Sequence, residues 1–173
     1  KAADGYFYVY ATESTRNVPI MKSKDLVEWT YCNTAFTNKT RPRFEPKAGI
    51  WAPDINYING KYVLYYAMSV WGGEQTCGIG VATANSPQGP FTDHGKMFRS
   101  NEIGVQNSID PSLLQYEGRN YLVWGSFRGI YVIELTADGL SIMPGAKKKR
   151  IAGTAFEAVY IHKYGDYYYM FAS

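Results

Sequence analysis

Only two cysteines, two histidines and a slight excess of positive charge occur in this 173-residue chain. Cys32 and Cys77 lack zinc-ligand spacing, and one pair cannot build the disulfide framework of a small secreted scaffold. His94 and His162 also stand outside any metal-ligand spacing. His94, in Thr92-Asp93-His94-Gly95, reads as a turn residue, and His162 as solvent-facing. A net charge of +3 is too slight to argue for nucleic acid. The run Lys147-Lys148-Lys149-Arg150 reads as a solvated loop. No apolar run approaches the ~18 residues of a membrane span, and helical periodicity is nowhere sustained. Disorder is excluded by 46% hydrophobic content at low net charge. No secretory leader is visible, and the chain opens directly on a strand-like segment, which reads as a start internal to a longer protein.

What is abundant is aromatic and turn-forming: 16 Tyr, 8 Phe, 4 Trp, 17 Gly and 8 Pro. That mixture favours strands and tight turns. One pattern recurs four times, a turn Gly followed by an aromatic strand that ends in small or polar residues. The copies are Gly5 before Phe7-Tyr8-Val9-Tyr10-Ala11-Thr12 and Gly60 before Tyr62-Val63-Leu64-Tyr65-Tyr66-Ala67. The others are Gly118 before Tyr121-Leu122-Val123-Trp124-Gly125-Ser126 and Gly165 before Tyr168-Tyr169-Met170-Phe171-Ala172-Ser173. Aligning Tyr10, Tyr65, Trp124 and Phe171 gives spacings of 55, 59 and 47 residues. After each of the first three copies comes a further strand end, a polar turn and a strand start. These are Ser23–Trp29, Ala82–Phe91 and Glu134–Leu140. Four strands per unit at a period near 50 is the signature of a β-propeller blade. A β-sandwich also has many short strands, but it need not repeat in register.

Eight residues ahead of each turn Gly stand Ala52, Asp110 and Glu157, at the head of the strand nearest the propeller axis. Acids at that height face one shared cavity, and paired carboxylates across a cavity are what glycoside hydrolysis requires. Asp110 before Pro111 also suits an Asx-type turn. Glu157 lies beside the apolar run Ala158-Val159-Tyr160-Ile161, an unusual setting for a surface Glu. Trp51, in Trp51-Ala52-Pro53-Asp54, either offers a flat face to a sugar ring or belongs to the core. Asp54 suits a structural acid that accepts backbone N–H groups. Counted from Gly5, the same place in the first unit falls about three residues before Lys1.

These motifs, in this order, resemble the family 43 glycoside hydrolases, which are five-bladed β-propellers. Ser23-Lys24-Asp25-Leu26-Val27-Glu28-Trp29 is similar to the family's Ser-x-Asp-Leu-x-x-Trp turn, and Trp51-Ala52-Pro53 to its Trp-Ala-Pro motif. Ser86-Pro87-Gln88-Gly89-Pro90-Phe91 resembles its outer-strand turn. Ile109-Asp110-Pro111-Ser112 and Glu157-Ala158-Val159-Tyr160 resemble its two later acidic motifs, with Val159 where the family often has Pro. The resemblance implies an inverting glycosidase with Glu157 as general acid and Asp110 as the acid that tunes and orients it. The general base then lies on the first inner strand, ahead of Lys1. Val105–Asp110 and Trp124–Ile130 look most like arabinan-directed members, which implies substrate contacts at Asn107 and Ser126, beside the candidate sugar face of Trp51. β-Xylosidases share the same acids, and a non-catalytic carbohydrate-binding propeller is the alternative from another class. The partner implied is a plant cell-wall arabinose- or xylose-containing saccharide, and the location extracellular or periplasmic. No cofactor is implied within this chain; some members hold a structural cation on the propeller axis through a His of the last blade.

At about 50–55 residues per unit, five blades need roughly 250–275 residues. Residues 1–173 are therefore expected to form part of a single catalytic propeller, three to four incomplete blades in an open ring. Such a ring exposes a sheet face or edge at each end. It is expected to associate with another copy, to need its remaining blades, or to be unstable and inactive alone.

Overall fold

A computed structural model describes residues 1–173, in thirteen strands and one helical turn. The first sheet holds β1 (Phe7–Tyr10), β2 (Pro19–Ser23) and β3 (Thr30–Thr34), in that order. The second is β4 (Gly49–Ile58), β5 (Lys61–Ser69), β6 (Gly78–Ala84) and β7 (Thr92–Arg99). After the short helix α1 (Ser100–Ile103) come β8 (Ser112–Tyr116), β9 (Arg119–Trp124), β10 (Ile130–Leu135) and β11 (Lys149–Ala152). A hairpin of β12 (Tyr160–Tyr164) and β13 (Tyr167–Phe171) ends the chain. Every pairing is antiparallel between sequence neighbours, so each sheet is a meander. The repeat units read from the sequence are these four sheets.

The sheets stack face to face because their middle strands carry apolar side chains on both faces. Successive side chains on a strand point in opposite directions. Along β5, Leu64, Tyr66 and Met68 pack with Tyr10 and Ile20 of the first sheet and with Val18 and Phe36 just outside its strands. Val63 and Tyr65 point the other way, toward Leu122, Trp124 and Ile133 of the third. A strand buried on both faces reads as a continuous apolar run, which is why Tyr62–Ala67 stands out in the sequence. Gly80 of β6 is needed here, since a Cβ on it would lie 2.4 Å from the Tyr66 ring.

Three expectations need correction. The third unit does not start its outer strand after Leu140; a single bridge joins Leu135 to Ile142, and β11 begins only at Lys149. The basic run is therefore half strand, with Lys149 and Arg150 paired to β10 and exposed. His94 lies within β7 rather than in a turn, its Nε2 2.8 Å from the Thr83 hydroxyl. The third correction is one of register. The β4–β5 and β8–β9 turns are Asn59-Gly60 and Glu117-Gly118, whereas the β12–β13 turn is Gly165-Asp166, with Gly in the first place. Counting from Gly165 thus shifts the fourth unit by one. Likewise Tyr66, not Tyr65, shares the place of Trp124.

Candidate active site

Strand β4 near its start, and the approaches to β8 and β12, carry the same backbone device. Ala52, Asp110 and Ala158 have φ of 43°, 56° and 51°. In β4 this residue coincides with a register shift between Trp51 and Asp54. A bulge of this kind bends the strand and re-aims its side chains. It is followed by Pro53, Pro111 and Val159 in the three units, so Asp110 is equivalent to Ala52 and Ala158. Glu157 stands one place earlier, equivalent to Trp51 and Ile109. The cross-strand contacts agree: Trp51 faces Ala67, Ile109 accepts from the Gly125 N–H, and Glu157 exchanges both backbone hydrogen bonds with Ser173. The two acids therefore come from neighbouring units at different register, not at one height.

Even so, both reach the same cleft. Its volume is about 540 Å³, and its lining includes Trp51, Asn107, Asp110, Ser126 and Glu157, the five candidates from the sequence. Trp51 stands near the start of β4, and the other four lie on loops that join a second strand to a third, or one sheet to the next, so they gather at one end of the stack. Asp110 is half-buried. Its carboxyl is pushed up to about 6, first by burial and then by the neighbouring charge of Glu157, while the Ala158 N–H opposes the shift. Glu157 Oε2 accepts a hydrogen bond from the Ser126 hydroxyl at 3.0 Å. Ser126 is 1% exposed, so it meets the cleft mainly through Glu157. Gly125 sets this up: at φ 131° it turns the chain, and a Cβ there would collide with the Gly129 carbonyl at 2.2 Å. Asn107 braces the floor. Its side-chain amide donates to the Ser126 carbonyl at 3.0 Å and its backbone N–H to the Glu74 carbonyl at 2.8 Å.

Three features were not singled out from the sequence. Trp71 is 94% exposed, its ring 5.6 Å from that of Trp51, and the two make an aromatic rim. The signal was present, a Trp ahead of Gly72-Gly73 in a loop. Arg128 pairs with Glu74 through two hydrogen bonds of 3.0 and 3.1 Å across the rim. Behind Trp51, Glu13 accepts from Arg41, from the Asn17 N–H at 2.7 Å and from the Ile50 N–H at 2.8 Å. Burial works against its charge, but those donors outweigh it and hold its carboxyl below the usual range. Asp54 plays the structural part anticipated for it, its Oδ2 accepting from the Leu113 N–H at 2.8 Å and so tying β4 to β8; burial nevertheless raises its carboxyl. No three His, Cys, Asp or Glu side chains converge as a metal set in residues 1–173.

The family model for "Glycosyl hydrolases family 43" matches residues 1–173. The chain belongs to that family. Arabinan endo-1,5-α-L-arabinosidase A of Aspergillus niger is 31% identical over all of this family 43 chain and 55% of its own length. Extracellular endo-α-(1→5)-L-arabinanase 1 of Bacillus subtilis is 35% identical over 91% of the chain and 52% of its own. The solved α-L-arabinanase of Cellvibrio cellulosa, complexed with arabinohexaose, superposes with a TM-score of 0.86 at 28% identity, covering 99% of this chain and 62% of that one. The chain thus spans about half the length of the curated relatives it matches. Its fold is the five-bladed family 43 β-propeller, present here as two four-stranded blades flanked by a three-stranded sheet and a hairpin.

Proposed function

We propose that this chain carries the acid side of an inverting glycosidase site for arabinan. One observation carries the reading: two carboxylates from different blades, Asp110 and Glu157, share one cleft and one electrostatic field. Burial and the neighbouring charge of Glu157 push the Asp110 carboxyl up to about 6. We assign delivery of the proton to the leaving oxygen to Glu157, whose hydrogen bond from Ser126 fixes the direction of its carboxyl, with Asp110 as the tuning and orienting acid. Inversion needs a base on the far side of the scissile bond, roughly 6.5–9.5 Å away, to activate water. In this reading the base belongs to an inner strand beside β1. Trp51 and Trp71 supply flat apolar faces for sugar rings.

The arabinan assignment rests on the names of the relatives, and the extracellular location on the Bacillus subtilis enzyme. In the full-length protein, Glu157→Gln is expected to lower hydrolysis of linear arabinan by about 10²–10⁴-fold. Asp110→Asn should move the acid limb of the pH profile. Hydrolysis that survives Glu157→Gln but is abolished by Asp110→Asn would exchange the two roles. A wild-type protein that binds arabino-oligosaccharides without cleaving them would replace the hydrolase by a binding propeller.

A further inference from the structure

A second cleft, of about 580 Å³, opens beside the first. Adjacent residues pass from one to the other: Thr12 lines the catalytic cleft and Glu13 the second, Ser69 the first and Met68 the second. Its character is different. Four cations, Arg16, Arg41, Arg43 and Lys47, line it with two acids, Glu13 and Glu45. Both acids are already committed, Glu13 to Arg41 and Glu45 to Arg99 at 3.1 Å. Arg16, Arg43 and Lys47 are exposed and form no ion pair. The only side-chain hydrogen bond among these three is from Arg43 to the Asn38 carbonyl. The cleft is thus a positive trough with free guanidinium and ammonium groups, on a molecule whose net charge is only +3.

The chemistry of the lining selects among anions. A phosphate site is usually built from successive backbone N–H groups, but Pro42 and Pro46 remove two of them here. The donors are side chains from two loops instead, and a guanidinium fork matches a carboxylate. The volume is close to that of the sugar cleft, so it suits an occupant of saccharide size rather than a single ion.

We propose that this trough is a subsite for carboxylate-bearing sugar, a uronate unit attached near the neutral chain held in the catalytic cleft. The subsite rests on the saccharide reading of that cleft for its biological sense, but its binding is tested separately. Trigalacturonate and a neutral arabino-oligosaccharide are titrated calorimetrically into the full-length protein and into an Arg16→Ser/Lys47→Asn variant. Asn suits position 47, where φ is 65°. The wild type should bind trigalacturonate, weakening at least tenfold in the variant and again on raising salt from 50 to 500 mM, as exposed charge pairs are screened. Arabino-oligosaccharide binding and the unfolding midpoint should be the same in both. Trigalacturonate bound equally by the variant, or by neither protein, overturns the subsite. So does displacement by inorganic phosphate at the same concentration, which marks a general anion site. Loss of arabino-oligosaccharide binding alone counts against the proposed function and leaves the trough standing.

Discussion

Strands β5 and β13 are copies of one pattern with opposite fates. In β5, Tyr62-Val63-Leu64-Tyr65-Tyr66-Ala67 is buried from Val63 onward. In β13, Tyr167-Tyr168-Tyr169-Met170-Phe171 is exposed at every position. Composition does not separate them, since both are aromatic and both pair with a preceding strand. The difference lies in neighbours. β5 is a middle strand of a four-stranded sheet with a sheet against each face, while β12 and β13 form a lone hairpin. Its anchors to the third sheet are few: Val159, with Ile161 at its edge, packs on Val123 and Ile130, and Tyr168 meets the edge of the Tyr116 ring at 5.6 Å. A two-stranded hairpin is marginal by itself. Burial in a propeller is thus a property of the stack and not of the strand, and a repeat sequence shows only what a strand is built to contact.

The comparison predicts the largest effect in the doubly covered region. Trp124 is fully buried, with its indole N–H on the Ser108 hydroxyl at 3.1 Å and its ring 5.1 Å from Phe98. Trp124→Ala should cost about 3–5 kcal/mol by chemical denaturation. Phe171→Ala, on the open face, should stay within about 0.5 kcal/mol. Comparable losses at the two positions would mean that β13 is covered in solution, by another copy or by further blades.

The two ion pairs sharpen the same contrast. Arg41 and Glu13 have side chains 8% and 9% exposed. Glu13→Gln leaves a buried guanidinium unpaired and should cost about 3–5 kcal/mol. It should also loosen the chain around Trp51, because the one amide oxygen left can serve the Ile50 N–H or the Asn17 N–H but not both as the carboxylate does. The rim pair of Arg128 and Glu74 is 46% and 38% exposed. Arg128→Ala should change stability by less than about 1 kcal/mol, and by less still in high salt.

Asp110 lies between these extremes, and its effect has the opposite sign. Its folded-state carboxyl titrates near 6 against a usual 3.8, so the folded chain binds more protons between those values. Stability should therefore fall as pH rises from about 4 to 6, by at most about 3 kcal/mol, and remain lower above that. Asp110→Asn keeps a residue that tolerates positive φ and removes the charge. Denaturation at pH 4, 5, 6 and 7 should show the variant without that slope and more stable at pH 7. A variant less stable than wild type at pH 7 would mean that the ionised form is held by contacts stronger than its burial and repulsion.

Much of the candidate site was legible because propeller units announce themselves by period. Asp110 and Glu157 were found by counting from turn glycines, and both reach the cleft. The count misplaced Glu157 by one residue because the β12–β13 turn puts Gly first and Asp second, and a count from Gly assumes one turn frame throughout. The Ser126 hydroxyl donates to Glu157, a partner that the sequence does not show. Nothing in Gly125-Ser126-Phe127 says which way a residue after a positive-φ Gly will point. The ion-pair partners Glu13 and Arg41, 28 residues apart, carried no local signal at all.

The sequence by itself determined the strand pattern, the unit length, the family and the residue types at the head of each inner strand. Each follows from local rules: side-chain alternation, turn chemistry and repetition. Only the tertiary structure decided which strands are buried, which carboxylates share a field, and where free positive charge collects. Those properties depend on distances between segments that the chain brings together through stacking, and on the water that stacking removes.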